Sequence, residues 1–311
     1  MLHLSLTLTN LLVVKNVGAE IEFCLYQNGH AVDESVFANV TTMNEQQVFL
    51  AALYDNLYKQ QIQVEQIHAE SAPGQLELVL EYQPSPLRMA DWVLLARETI
   101  TAVAKNHNLQ AVFLPKLYPD KAGNGCHLHI SFANDFFVSG ETLSWRAQSF
   151  MEGILRHLPS LLALTLPTCN SFRRVGPGCW TGFMVGWAIE DKEAALRVCM
   201  EGSNVEYKLC DSTANLYLAL SGLLACGLDG IAQSLVLRPS LSQQGSAIKQ
   251  ENDTLPSSLQ ESLECLRKDE LLCQVMGPEL SQAYIAVRQA EAEKSATLKL
   301  EEEVELALRK S

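Results

Sequence analysis

The chain has 311 residues, 48% of them hydrophobic and 19% charged, which excludes a disordered or low-complexity protein. Its 23 Lys and Arg against 36 Asp and Glu leave a net charge of −13, which repels phosphate backbones and anionic lipid, so neither nucleic acid nor a membrane surface is an expected partner. No apolar run reaches the roughly 18 residues that a membrane-spanning helix needs.

Met1 to Val14 is apolar, but it lacks a basic n-region and is broken by His3, Thr7, Thr9 and Asn10, so it reads as an ordinary first strand or helix. Gly18 to Tyr26 alternates polar and apolar residues, which predicts a strand, and Asn28-Gly29 marks the turn after it. Glu45 to Gln61 reads as an amphipathic helix. Gln75 to Tyr82 is a strand with Leu76, Leu78 and Leu80 on one face and Gln75, Glu77 and Glu81 on the other. A helix follows over Met89 to His107, starting near Asp91, then strands at Ala111 to Pro115 and Cys126 to Phe132. Trp145 to Leu164 reads as a helix interrupted near Pro159. Phe183 to Ala188, Ala195 to Cys199 and Asn204 to Leu209 are predicted strands, and Ser212 to Ile231 a buried helix. Ser240 to Ser258 reads as an exposed loop. Leu259 to Lys310 is expected to be helical, its charged end solvated. The alternation of elements points to an α+β domain with a largely antiparallel sheet. Nine cysteines, an odd number with no CxxC pair, suit a reducing compartment, so a cytoplasmic location is expected.

The chemistry-bearing residues fall on these strands. Glu20 and Glu22 share one strand face about 6.6 Å apart, a spacing that lets two carboxylates hold two cations about 3.5–4 Å apart. Glu70 and Glu77 flank the turn at Pro73-Gly74. His127, His129 and Ser131 alternate along one face, with Gly123 and Gly125 before them. Arg173 and Arg174 precede a Gly-Pro-Gly turn, Arg197 lies on a later strand, and Glu206 and Lys208 share a face. Each pattern alone also fits a solvated strand face, a surface turn, two satisfied histidines or edge-strand charge.

Their order is more specific than any single one. The series AEIEF, AESAPGQLE, GNGCHLHIS, NSFRRVGPG, ALRV, VEYKLCDSTANLYLAL and GLDGI resembles the catalytic domain of the glutamine synthetase family, from about Gly18 to Lys310. The resemblance implies a curved antiparallel sheet flanked by helices over residues 18–311, with 1–17 before it. It implies an ATP-dependent carbon–nitrogen ligase that turns glutamate into γ-glutamyl phosphate and passes it to ammonia or another amine. By motif position, Glu22, Glu70 and Glu77 would hold one divalent cation and Glu20, His127 and Glu206 a second. Oxygen-rich ligation with a single imidazole suits Mg²⁺ or Mn²⁺. The resemblance assigns His129, Ser131 and Arg197 to ATP, with Arg197 also stabilising the phosphate in transfer. It assigns Gly123 and Arg174 to positioning the amino acid, Arg174 next to the chemistry.

The pattern departs from the family in three ways. Trp180 stands where family members commonly carry a glutamate that helps deprotonate ammonium; an indole cannot accept that proton, although its face can hold a cation. Lys192 and Lys208 replace arginines in the substrate-binding set, keeping the charge without the bidentate fork. The family's N-terminal β-grasp domain, which in ring-shaped relatives completes the neighbouring site, does not fit in the few residues before Gly18, and this leaves a homo-oligomer open. GPGCWTG is similar to the synthetase-like part of nodulin–glutamine synthetase fusions. These departures set a second expectation beside the ligase: a catalytically impaired relative with a binding or scaffold role.

Overall fold

The computed structural model describes residues 14–34, 37–132, 136–139, 142–201, 204–244 and 254–310. Its spine is strand β1 (Val14–Gln27). Alternation along β1 buries Val17, Ala19, Ile21, Phe23 and Leu25 in the core and sends Glu20 and Glu22 to the opposite face. After it come β2 (His30–Ala31), helices α1 (Val40–Glu45) and α2 (Gln47–Lys59), then strands β3 (Val64–Ala69) and β4 (Gln75–Gln83). Helix α3 (Pro86–Asn106) leads to β5 (Gln110–Val112) and β6 (Cys126–Phe132), and a small separate pair follows, β7 (Phe137–Ser139) with β8 (Thr142–Leu143). The second half contains α4 (Trp145–Thr165), α5 (Cys169–Phe172), β9 (Trp187–Ile189), β10 (Leu196–Cys199), β11 (Asn204–Tyr207), α6 (Leu216–Ala232) and α7 (Leu241–Gln244). It ends in α8 (Leu259–Lys268), α9 (Glu270–Met276), α10 (Pro278–Ser295) and α11 (Leu300–Lys310).

The main sheet is open and runs β3-β4-β1-β6-β11-β10-β9, with β2 and β5 also paired to β1. Every pairing is antiparallel except β9 with β10. The α+β architecture expected from the sequence is therefore present. One face of the sheet is apolar: Leu76, Leu78 and Leu80 of β4, Leu128, Ile130 and Phe132 of β6, and Val205 and Tyr207 of β11 join the β1 residues in a core capped by α3, α4 and α6. The polar face carries the candidate site.

Helices α4 and α6 cross at glycines. A Cβ on Gly230 would lie 2.0 Å from the Ser149 carbonyl oxygen, and one on Gly153 would lie 2.2 Å from that of Cys226. Backbone cannot retreat as a flexible side chain can, so Gly230→Ala is expected to cost about 3 kcal/mol, the upper end of the overpacking range. Urea denaturation followed by circular dichroism measures this, and an unchanged midpoint would contradict the packing.

Several boundaries differ from the sequence expectation. Helix α4 continues through Pro159, because fourteen of its residues are buried and tertiary packing outweighs the missing N–H. Helix α3 starts at Pro86, where proline is favoured in a first turn and the Ser85 hydroxyl caps the Arg88 N–H. The predicted helix over Glu45 to Gln61 corresponds to α2, which starts at Gln47 after the separate short helix α1, and α6 begins at Leu216, capped by Asn215. The strands expected at Ala111 to Pro115 and Phe183 to Ala188 shrink and shift to β5 and β9. Edge strand β3 was not expected at all. The helical C-terminal region is cut at Asp269, the side-chain cap of α9, and at Gly277-Pro278. Most of the loop expected at Ser240 to Ser258 falls outside the described residues.

Helix α11 is not simply solvated. Val304, Ala307 and Leu308 pack against Cys24, Tyr26 and Val112, and the Glu303 carboxylate accepts hydrogen bonds from Asn170 and Arg173. Among the described residues no helix is long and apolar enough to cross a membrane.

Candidate active site

Strand register builds the site. Glu20 is paired with His127 across β1 and β6, Glu22 with Glu77 across β1 and β4, and His68 with Glu77 across β3 and β4. On the other side Glu206 is paired with His129 and with Arg197. Facing residues of neighbouring strands have Cβ atoms about 4.5–5.5 Å apart, so this register concentrates acid and imidazole groups on one patch. His127 Nδ1 lies 3.2 Å from Glu20 and 3.3 Å from Glu206, and its Nε2 lies 3.6 Å from Glu22. His129 Nε2 is 2.9 Å from Glu20, while its Nδ1 contacts Asn204. His68 Nε2 is 3.6 Å from Glu70 and 3.7 Å from Glu77.

Basic groups surround the patch. Lys208 Nζ donates to Glu206 at 2.7 Å, and Arg197 pairs with Glu206 at 3.3 Å and with Glu190 at 2.7 Å. Arg174 is buried; it donates to the carbonyls of Cys210 and Lys208 and lies 3.3 Å from His127 Nε2. The arginine lies so close that a side chain at Gly125 would meet it: a Cβ there would fall 2.7 Å from the Arg174 guanidinium and 2.4 Å from His127 Nε2.

The carboxyls split into two electrostatic classes. Burial, reinforced by the carboxylates of Glu20, Glu22 and Glu70, pushes Glu77 up to about 10. Burial also raises Glu22. Burial opposes ionisation of Glu206 as well, but the Lys208 ammonium and the two imidazoles bring its carboxyl down to about 2. At Glu20 the attraction of His129 and His127 outweighs burial and holds the carboxyl well below its usual range. Burial acts against protonation of His129, yet Glu20 raises this imidazole well above its ordinary value.

Two cavities adjoin at Glu20. The smaller, about 140 Å³, is bordered by the acidic patch, Gly123, Arg174, Arg197 and Lys208, and by Trp180, Lys192 and Phe37. The larger, about 640 Å³, includes His129, Ser131, Asn204 and Lys15. All fourteen sequence-predicted residues thus border one cavity or the other. The grouping of ligand atoms is less simple than the motif order implied. Atoms within 4.8 Å of one another form three sets: Glu20, Glu77 and His127; Glu20, His129 and Glu206; and His68, Glu70 and Glu77. Glu22 belongs to none of them among the described residues, and one of its oxygens is committed to the Gly125 N–H and the Gln75 amide.

Sequence reasoning missed His68, Gln75, Phe37 and Cys179, which also line the smaller cavity. His68 had a readable signal: it precedes Glu70 by two residues, the spacing that marks Glu20 and Glu22. Phe37 had none, since it sits in a turn and belongs to no strand alternation.

Residues 8–306 match the family model for the glutamine synthetase catalytic domain. The chain belongs to the glutamine synthetase family. It is 32% identical over 274 residues to "Type-1 glutamine synthetase 1" of Dictyostelium discoideum, which covers 84% of this chain and 54% of that protein. It is 38% identical over 261 residues to "Gamma-glutamylpolyamine synthetase GlnA3" of Streptomyces coelicolor, 78% of this chain and 56% of that one. Among solved structures, a "GmaS/ADP complex" superposes with a TM-score of 0.81 at 26% identity, covering 95% of this chain and 73% of the other. The chain spans about half the length of these two curated relatives.

Membership in the glutamine synthetase family implies divalent cations and ATP, and the residues present fit both. The donors are mostly carboxylate oxygens, the preference of hard cations. A Glu77 carboxyl that resists ionisation beside three other carboxylates gains most from a cation. Arg174, Arg197 and Lys208 border the same cavity, and basic groups there suit a phosphate chain.

Proposed function

We propose that this chain is the catalytic part of an ATP-dependent glutamate ligase that forms γ-glutamyl phosphate and transfers the γ-glutamyl group to ammonia or another amine. The observation that carries this reading is the convergence of Glu20, Glu22, Glu70, Glu77, His127 and Glu206 on one cavity with Arg174, Arg197 and Lys208. Joining a phosphate chain to a carboxylate brings like charges together, so the site must supply concentrated positive charge.

The reading assigns roles to residues as follows. Glu22, Glu70 and Glu77, joined by His68, would hold one Mg²⁺ or Mn²⁺, and Glu20, His127 and Glu206 the other. The two ions, when bound, neutralise phosphate charge and orient the reacting oxygens. Arg174 and Gly123 orient glutamate in the smaller cavity. Arg197 meets the phosphoryl group in transfer, and Lys208 keeps Glu206 ionised. His129 and Ser131 bind ATP in the larger cavity, which meets the smaller one at Glu20. Trp180, at the outer wall, replaces charge attraction with an aromatic face for the acceptor.

Glutamate-dependent phosphate release from ATP tests this, with Mg²⁺ or Mn²⁺ and a panel of acceptors from ammonium to primary alkylamines. Release that requires both glutamate and an acceptor is expected. No release with any acceptor would reject the ligase.

A further inference from the structure

The outer wall of the smaller cavity is an aromatic corner that already contains a cation. Trp180 stands edge-on to Phe37, with ring centroids 6.3 Å apart and planes at 90°. Lys192 Nζ lies 4.8 Å from the Trp180 ring centroid and 5.3 Å from that of Phe37. Both distances are within the roughly 6 Å over which a ring attracts a cation. Among the described residues no carboxylate forms an ion pair with Lys192, and its ammonium, on an exposed side chain, rests against the two rings. Phe37 in turn meets His68 edge-on at 6.1 Å, which places the corner directly beside Glu70 and Glu77.

The corner is held in place against local strain. Trp180 adopts a left-handed backbone (φ 57°), which a bulky residue rarely does. The Glu193 carboxylate secures it by accepting from the Trp180 N–H at 3.0 Å and the Gly178 N–H at 3.2 Å. On the inner side, buried Lys116 donates to the Lys121 carbonyl and lies 3.6 Å from Cys179 Sγ, linking the Trp180 loop to the segment that carries Gly123. Strain that the surroundings over-determine is a mark of function.

We propose that Trp180 and Phe37 select the acceptor, seating the head of a primary alkylammonium ion, and that Lys192 is a tethered stand-in which the acceptor displaces. This rests on the ligase reading and adds the acceptor class to it. Ammonium itself is small and strongly hydrated and has no apolar part to cover the rings. An alkylammonium offers the same charge with methylene groups that pack against the indole and phenyl faces, as the lysine stem does. Lys192 is a butylammonium group attached to the protein, so the corner already accommodates the chemistry proposed for the acceptor.

The test compares phosphate release with ammonium, butylammonium and 1,4-diaminobutane for the wild type, Trp180→Ala, Trp180→Phe and Lys192→Met. The wild type is expected to have a higher kcat/KM for the two alkylamines than for ammonium. Trp180→Ala should lower that selectivity ratio about two- to fivefold, the equivalent of one cation–π contact at an exposed site, and Trp180→Phe should restore most of it. Lys192→Met should lower the KM for butylammonium by removing its competitor. An unchanged selectivity ratio in Trp180→Ala, or a higher butylammonium KM in Lys192→Met, overturns the proposal while the ligase stands. If no acceptor supports release, the ligase reading falls. Calorimetric titration with butylammonium then decides the corner alone: binding lost in Trp180→Ala upholds it, and equal or absent binding in both proteins overturns it.

Discussion

Glu206→Gln is expected to reduce glutamate-dependent phosphate release by about 10²–10³-fold, the cost of several kcal/mol of lost charge stabilisation. Glutamine keeps the shape and removes the charge. In the structure that charge is shared: Lys208 Nζ is 2.7 Å away, Arg197 3.3 Å and His127 Nδ1 3.3 Å. Lys208 is itself 4% exposed, so the substitution leaves a buried ammonium without its partner. Part of the effect is therefore on stability, and a thermal melt of the variant separates it from the effect on turnover. The expected variant is folded at the assay temperature and inactive. One that keeps more than about a tenth of wild-type activity would contradict the central place of Glu206.

Stability in the absence of divalent cations should fall as pH rises, and cations should reverse this. Glu77 is raised from 4.5 to about 10 by burial and by neighbouring carboxylates. Between these two values the folded state binds more protons at this group than the unfolded chain, so its contribution favours folding less and less as pH rises towards the folded value. Glu206 and Glu20 act in the opposite sense, but their shifts lie below 4.5 and their contribution is complete near neutrality. A divalent cation binds ionised carboxylates, so it competes with the proton on Glu77. At a hundredfold excess over its dissociation constant, Mg²⁺ or Mn²⁺ should raise the melting temperature by roughly 4 °C for each ion bound, and more so at higher pH. Binding should also release about one proton, seen by calorimetry in two buffers of different ionisation enthalpy. A cation-independent melting temperature with no proton release would remove the basis for the cation site.

Much of the candidate site is legible in the sequence because strands alternate with period two. Glu20 with Glu22, His127 with His129 and Ser131, and Glu206 with Lys208 are each separated by two residues, so each group shares a face wherever the strand lies. The apolar partners between them, such as Ile21 and Leu128, identify the face that must be buried. His68 escaped notice because β3 is an edge strand with a weaker apolar pattern, and without that strand its pairing with Glu77 is invisible. The unbroken course of α4 through Pro159 was hidden for another reason: proline disfavours a helix locally, and packing against α6 and α8 outweighs it. By contrast, the cap at Asp269, the Gly277-Pro278 break and the apolar stripe of α11 were all present in the sequence as local signals.

Read alone, the chain determines its family, its α+β class and which acidic, imidazole and basic groups are candidates for the site, because motif order and strand alternation are local properties. It does not determine which ligand atoms meet. The three sets around Glu20 and Glu77, the pairing of Glu206 with Lys208 and Arg197, and the seating of Lys192 between Trp180 and Phe37 depend on strand register and loop placement. Register is set by burying one face of the whole sheet at once, a balance among residues far apart in the chain that no short stretch contains.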